Sequence, residues 1–248
     1  CCYEHVSLCE YNPEETIKTN LIGTKKLIKA SIKKKIKKFI FISTDKSVYP
    51  SSIMGKSKRQ AETFTVLSNQ TANTKFSSIR FGNIIGSRGS VLLNFLSQIK
   101  NNKPITITHP EMTRFFITPE VATKEIINAI THMEGGEIYI IRNMRAFYVI
   151  NLAKALCEIF NYKFKPKFIG LRDGEKIHEK LIEDNELKRI RDKKNLYFIH
   201  GSKSKKKFPL LKNKNFNSET AEHLDINEIK RYLIKEVKIL NLFKNITN

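Results

Sequence analysis

The feature that most restricts the fold of this chain is a regular change of hydrophobic period. NPEETIKTNLIGTKKLIKASI (12–32) carries apolar residues at helical spacing. Asn12 can cap it, Pro13 takes the first helical position, and Glu14 and Glu15 fill the first turn. KKFIFIS (37–43) then reads as a short buried strand. The same change recurs down the chain: helix 56–70 and strand 75–82, then helix 90–101 and strand 104–108. Thr118 caps a further helix that Gly135–Gly136 closes, strand 137–142 follows, and helix 147–160 precedes strand 165–170. Alternation at such short spacing predicts parallel strands with helices on both faces, the doubly wound, Rossmann-like α/β architecture.

Beyond residue 185 the periodicity weakens. Residues 201–219 show no period, and DINEIKRYLIKEVKIL (225–240) reads as a closing helix capped by Asp225. The expected organisation is a first part over 1–82 and a second, interleaved region over 83–185. A tail over 186–248 completes it. The Gly-rich phosphate turn of a dinucleotide fold is absent; GSRGS (86–90) is the only Gly-rich loop. The first residues already read as the middle of a domain, so a missing N-terminal part is expected.

The net charge of +21 raises the question of nucleic acid. Ten Arg stand against 35 Lys, Ile and Asn are abundant, and Trp is absent. That bias fits an AT-rich genome, which spreads Lys over every solvated face. The densest run, KKKIKK (33–38), falls at a helix end, where Lys complements the helix dipole. An anionic small ligand is therefore the expected partner, and nucleic acid is not. No run of about eighteen apolar residues marks a membrane span, so a soluble, cytoplasmic segment is expected. Cys1, Cys2, Cys9 and Cys157 form neither a disulfide framework nor a zinc pattern. Reduced thiols and no metal site follow, and His109, His178 and His223 read as ordinary polar residues.

The stretch STDKSVYPSSIMGKSK (43–58) sets Asp45 beside Lys46, and Met54 four residues before Lys58. Short-chain dehydrogenases place a tyrosine and a lysine at that spacing. Tyr49 does not replace the missing tyrosine, because Ile53 stands four residues after it and Pro50 follows at once. Tyr49 reads as a loop or pocket-wall residue.

Five stretches occur in a fixed order: NPEETIKTNLIGTKKLI, FISTDKSVYPSSIMGKSKRQAE, IRFGNIIGSRGSV, PITITHPEMTRFFIT and IGLRDGEKIHEKL. Together, over roughly residues 1 to 185, they resemble the polysaccharide-biosynthesis branch of the extended short-chain dehydrogenases. Within it they are similar to the UDP-N-acetylglucosamine 4,6-dehydratases, some of which also epimerise carbon 5. NFNSETAEHLDINEIK (215–230) is similar to the tail of the dehydratase/5-epimerase subgroup.

The resemblance implies NAD or NADP as cofactor, a UDP-sugar as substrate and a homo-oligomer. It implies Asp45 as acid, Lys46 as base, Thr44 at the sugar's carbon 4 hydroxyl with Ser43 as fallback, and Lys58 at the nicotinamide ribose. Met54 departs from the wider superfamily but occurs in this branch. Cys1 and Cys2 align with a pair of alanines beside the cofactor, and Asn20 with an Asn that bonds backbone near the active site. Asn83, Arg88 and Ser90 would touch the sugar diphosphate. Arg114 and Arg172 would contact the phosphates, for which a guanidinium fork is suited. Glu175 would accept from the uridine ribose. A UDP-sugar 4-epimerase and a non-catalytic sugar-nucleotide-binding remnant are the alternatives. Asp45–Lys46 weighs against the epimerase, since simple epimerisation needs no acid–base pair at carbons 5 and 6.

Overall fold

A computed structural model describes residues 5–71, 73–87, 90–193, 196–199 and 216–235, with positions 238, 239, 241 and 243. Cys1, Cys2 and Arg88, and most of the 201–219 stretch, lie outside the described residues. After a short α1 (Val6–Tyr11), the expected first helix forms as α2 (Pro13–Ile17), a π turn (Lys18–Ile22) and α3 (Gly23–Lys33). β1 (Lys38–Thr44) runs into a 3-10 turn at Asp45–Ser47 and then α4 (Ile53–Ser68). β2 (Lys75–Phe81), β3 (Asn83–Ile84), α5 (Val91–Lys100), β4 (Ile105–Ile107) and β5 (Thr113–Ile117) follow. Next come α6 (Pro119–His132), β6 (Ile138–Ile141), β7 (Ala146–Tyr148), α7 (Val149–Ile159) and β8 (Pro166–Phe168). β9 (Ile190–Lys193), β10 (Leu196–Ile199) and α8 (Ile226–Lys235) close the chain.

The main sheet has the order β1-β2-β6-β10-β9. β1, β2 and β6 are parallel, with Lys38–Thr44 paired residue for residue to Lys75–Phe81. This is the Rossmann-like arrangement that the alternating periods predict. One edge differs: β10 and β9 add two antiparallel strands where no period is visible. The reason is that all four residues of β10, LYFI, are buried, so the strand carries no alternation. The strand expected at 104–108 forms, but it pairs with β8 in a small separate sheet. β3, β5 and β7 make a third sheet.

Two apolar clusters hold these layers. One joins β2, β5, α6, β6 and β10, with Ile79, Tyr139, Ile140 and Phe198 nearly inaccessible. The other joins α5, β4, α7 and α8, through Phe95, Leu96, Leu156 and Leu233. The cap expected at Asp225 is present as a reciprocal box. Asp225 Oδ1 accepts from the Glu228 N–H at 2.7 Å, and Glu228 Oε2 accepts from the Asp225 N–H at 3.0 Å.

A charged cluster lies inside the sheet layer. Arg80, in β2, is fully buried. Its Nε and Nη2 donate to Glu62 at 2.9 and 2.7 Å, and Nη1 and Nη2 donate to Glu186 at 2.7 and 2.8 Å. Nη1 also donates to the Leu181 carbonyl at 2.9 Å, which engages all five N–H groups. Arg59 adds bonds to Glu62, Glu183 and Glu186 at 3.0, 2.8 and 3.1 Å. β2, α4 and the 181–186 segment are thereby joined. Burial works against the charge on Glu186, but the hydrogen bond and charge of Arg80 prevail and hold its carboxyl at about 2.

Removing one partner would leave buried charges uncompensated. Arg80→Met is expected to lower unfolding free energy by about 3–5 kcal/mol in urea titration; an unchanged midpoint would contradict this role. The Glu186 carboxyl sits below its unfolded value of 4.5. Its stabilisation is therefore complete above that value and lost as pH falls toward 2, a loss of about 3 kcal/mol. Urea midpoints should fall over that acid range, and Glu186→Gln should flatten the fall.

Candidate active site

A cavity of about 560 Å³ lies where β1 and β2 end, the position at which doubly wound sheets take ligands. From the β1–α4 side Ser43, Thr44, Lys46, Met54 and Lys58 line it. From β3 onward come Asn83, Ser90, Arg114, Arg172 and Glu175. Four of the five ordered motifs thus meet around one space, and the first, 12–28, stays off it. α4 approaches the Asp45–Ser47 turn closely because residue 55 is glycine. A Cβ there would stand 2.3 Å from the Lys46 carbonyl oxygen.

Asp45 and Lys46 are placed differently. Lys46 reaches the cavity, and its Nζ donates to Asp45 Oδ1 at 2.9 Å and Asn83 Oδ1 at 2.8 Å. Asp45 is fully buried and is not among the lining residues. Its Oδ1 also accepts from the Thr44 hydroxyl at 3.0 Å, while its Oδ2 has no hydrogen-bond partner among the described residues. Asp45 therefore meets the cavity through two neighbours, Thr44 and Lys46.

Lys58 is 3% exposed, donates to the Ile42 carbonyl at 2.7 Å and lies over the Phe41 ring at 4.8 Å. Met54 is buried beside it in the first turn of α4. Ser43 Oγ donates to Ser47 Oγ at 3.3 Å. Asn20 does not line the cavity. It sits in the π turn and donates through Nδ2 to Ser57 Oγ at 3.1 Å, bracing α4 one residue before Lys58. Tyr49 is a loop residue with φ of 44°; its hydroxyl accepts from the Asp184 N–H at 2.7 Å, and it too is off the cavity wall.

At the other side Arg114 is engaged by backbone. Its Nη1 donates to the Thr113 and Ile177 carbonyls at 2.8 and 2.9 Å, and its Nη2 to the Lys176 carbonyl at 2.9 Å. It builds the wall that carries Glu175, whose Oε1 lies 3.7 Å away. Arg172 is exposed on the rim, and its N–H donates to Glu175 Oε2 at 3.2 Å. Ser90 starts α5, and its buried hydroxyl has no hydrogen-bond partner among the described residues. A ten-residue helix start with an orphan hydroxyl suits a phosphate oxygen.

Several cavity residues had no signal of their own in the sequence, Glu179 among them. Glu179, in the quoted motif IGLRDGEKIHEKL, is 2% exposed yet lines the cavity. Its Oε1 lies 3.8 Å from Lys46 Nζ and its Oε2 3.2 Å from Lys176 Nζ. Its burial comes from the tail, because its N–H donates to Ser218 Oγ and its carbonyl accepts from the Ser218 N–H, both at 2.8 Å. His178 Nδ1 contacts the Thr113 hydroxyl at 2.8 Å and His223 Nε2 the Ser218 carbonyl at 2.8 Å. The His109 ring accepts from the Glu111 N–H. Among the described residues no group of His, Cys, Asp and Glu could hold a metal, and no helix is long and apolar enough to cross a membrane.

The profile of the family described as "Polysaccharide biosynthesis protein" matches residues 1–201. The capsular polysaccharide biosynthesis protein CapD of Staphylococcus aureus is 40% identical over 75% of this chain, which spans 32% of that protein. A UDP-glucose 4-epimerase of Rickettsia bellii is 34% identical over 98% of this chain and 74% of its own length. The X-ray structure of Pen from Bacillus thuringiensis superposes with a TM-score of 0.84 at 31% identity, covering 94% of this chain and 73% of that one. The chain belongs to the polysaccharide biosynthesis protein family, within the extended short-chain dehydrogenase branch.

Proposed function

We propose that this chain carries the catalytic and sugar-nucleotide halves of an NAD(P)-dependent UDP-N-acetylglucosamine 4,6-dehydratase, with carbon 5 epimerisation as an added capacity. It would serve surface polysaccharide synthesis in the cytoplasm, as a homo-oligomer. The observation that carries the reading is Lys46 on the cavity wall, bonded to a buried Asp45 with one oxygen unpartnered among the described residues. Elimination across carbons 5 and 6 needs a base and an acid on one edge of the sugar. Lys46 takes the carbon 5 proton. Asp45 acts in its protonated form: it gives its proton to the Thr44 oxygen as Thr44 passes its own hydroxyl proton to the departing carbon 6 hydroxyl, along the contact in which the Thr44 hydroxyl now donates to Asp45 Oδ1 at 3.0 Å. Thr44 also positions the carbon 4 hydroxyl.

The residues present fit the nicotinamide end of a dinucleotide. Lys58 is buried on the cavity wall and has two N–H bonds beyond the one to Ile42, and Ser43 stands next to it on β1. When bound, the cofactor supplies a hydride acceptor for carbon 4 and a donor for carbon 6. Cys1 and Cys2 belong to that end by resemblance, and Asn20 supports it through α4. Ser90, the start of α5 and Arg172 take the diphosphate, and Arg88, outside the described residues, is assigned to it by resemblance alone. Glu175 takes the uridine ribose, and Arg114 and Asn83 hold the wall in shape. Residues 1–82 and 83–185 divide these roles, and the tail over 186–248 supports the second.

A second reading, a UDP-sugar 4-epimerase, is favoured by the name of the Rickettsia relative. The two separate on product. The protein, expressed with whatever precedes Cys1 in its reading frame, is incubated in deuterium oxide with UDP-N-acetylglucosamine and NADP⁺, and separately with NAD⁺. A 4-keto-6-deoxy product deuterated at carbon 5 is expected; UDP-N-acetylgalactosamine alone would decide for the epimerase. Asp45→Asn should lower turnover by about 10²-fold or more while sugar-nucleotide binding persists. Normal turnover in that variant would remove Asp45 from the mechanism.

A further inference from the structure

The loop of residues 48–52 joins the Asp45–Ser47 turn to α4. It is fastened to the segment 174–184 along its length. The Val48 carbonyl accepts from Lys176 Nζ at 2.8 Å. The Tyr49 hydroxyl accepts from the Asp184 N–H at 2.7 Å, and the Tyr49 N–H donates to Glu183 Oε1 at 3.5 Å. The Lys180 ammonium lies over the Tyr49 ring, 5.4 Å from its centroid. Ser51 Oγ donates to the Gly174 carbonyl at 2.8 Å. Gly174, with φ of 74°, lets the two backbones meet, since a Cβ there would stand 2.7 Å from Ser52 Cβ. Where the loop enters α4, Glu10 Oε1 accepts from the Ile53 N–H at 2.7 Å.

Tyr49 stands apart in this seam. Its φ of 44° puts an aromatic residue in the left-handed region, which a bulky side chain occupies only where its surroundings hold it. It is 45% exposed, so core packing does not account for that backbone. The segment it is tied to is itself fixed, by Arg114 on the 176–177 carbonyls and by Arg80 on the Leu181 carbonyl. The wall is therefore the frame, and the loop is hung on it.

We infer that Tyr49 is a positioning residue: through its hydroxyl it holds the Asp45–Ser47 turn, and Lys46 with it, in register with the wall that carries Glu175. Tyr49 is off the cavity wall, so it acts through the loop and not by touching a ligand. The inference rests on Asp45 and Lys46 as the reacting pair, and it assigns their register with the nucleotide end to a residue outside the cavity.

Tyr49→Phe removes one oxygen and leaves the ring. Hydrogen exchange, followed by NMR on the whole protein without ligand, reads the loop. The Lys46 and Val48 amides bond to Thr44 Oγ1 and to the Asp45 carbonyl at 3.3 and 3.0 Å. In the variant both should exchange about 10-fold faster, while Ile79, buried in β2, keeps its wild-type rate. In turnover of UDP-N-acetylglucosamine kcat should fall about 10-fold with KM within about twofold, because the nucleotide contacts stay while their register with Lys46 is lost. A residue that only stabilised the fold would speed exchange at Ile79 as well and would leave kcat per folded molecule unchanged. Faster exchange at Lys46 and Val48 alone supports the inference. Unchanged exchange there, a rise at all three amides, or a normal kcat in the variant overturns it. A wild type that makes no product counts against the dehydratase reading, and the exchange rates then decide the role of Tyr49 by themselves. If Tyr49→Phe fails to fold, Ser51→Ala, which cuts the neighbouring tie to Gly174, is read at the same amides, and the same two exchange results decide.

Discussion

Arg80 is the constraint on which the arrangement of this protein rests. A guanidinium inside a sheet layer is tolerated only when each N–H has an acceptor and its charge is matched. Here Glu62 and Glu186 match it, and Leu181 takes the remaining N–H. Those acceptors lie 18, 106 and 101 residues away in sequence. The cluster therefore fixes α4 and the 181–186 segment to the same strand. α4 carries Met54 and Lys58, and the segment leading into 181–186 carries Glu175, Lys176 and Glu179. One buried charge cluster holds both sides of the cavity in register.

A second clamp comes from the tail. Ser218, fully buried, bonds the Thr113 hydroxyl at 2.7 Å and the Glu179 backbone at 2.8 Å. Thr113 adjoins Arg114, and Arg114 holds the 176–177 carbonyls. The wall opposite Lys46 is thus built from backbone acceptors and small hydroxyls. Such a wall is rigid, and a base that must be aimed at one carbon needs rigidity.

Much of this was legible in the sequence, and the exceptions have physical causes. The helices at 12–32 and 56–70 announce themselves by period, because each has one face in the core, and the strands at 37–43 and 75–82 follow from the alternation with them, although β2 is buried along six of its seven residues. β10 does not, because all four of its residues are buried. The π turn at Asn20 leaves no period to detect, as it widens one turn inside a continuous helix. Four of the five motifs converge on one cavity, entering it from β1, β2 and β3, from β4 and β5, and from the segment after β8. Burial of individual side chains was not legible. Nothing in STDK shows that Asp45 is sealed while Lys46 is open, and nothing in MTRFF shows that Arg114 is engaged by carbonyls. Glu179 becomes visible only once the tail is folded against it.

The central claim is that Lys46, steadied by Asp45, stands over carbon 5 of a UDP-sugar. A crystal structure of the protein with UDP-N-acetylglucosamine and NADP⁺ tests it directly. The account predicts carbon 5 within about 3.5 Å of Lys46 Nζ, the carbon 6 hydroxyl beside Thr44, and the diphosphate between Ser90 and Arg172. A sugar seated with carbons 5 and 6 turned away from Lys46 would contradict it.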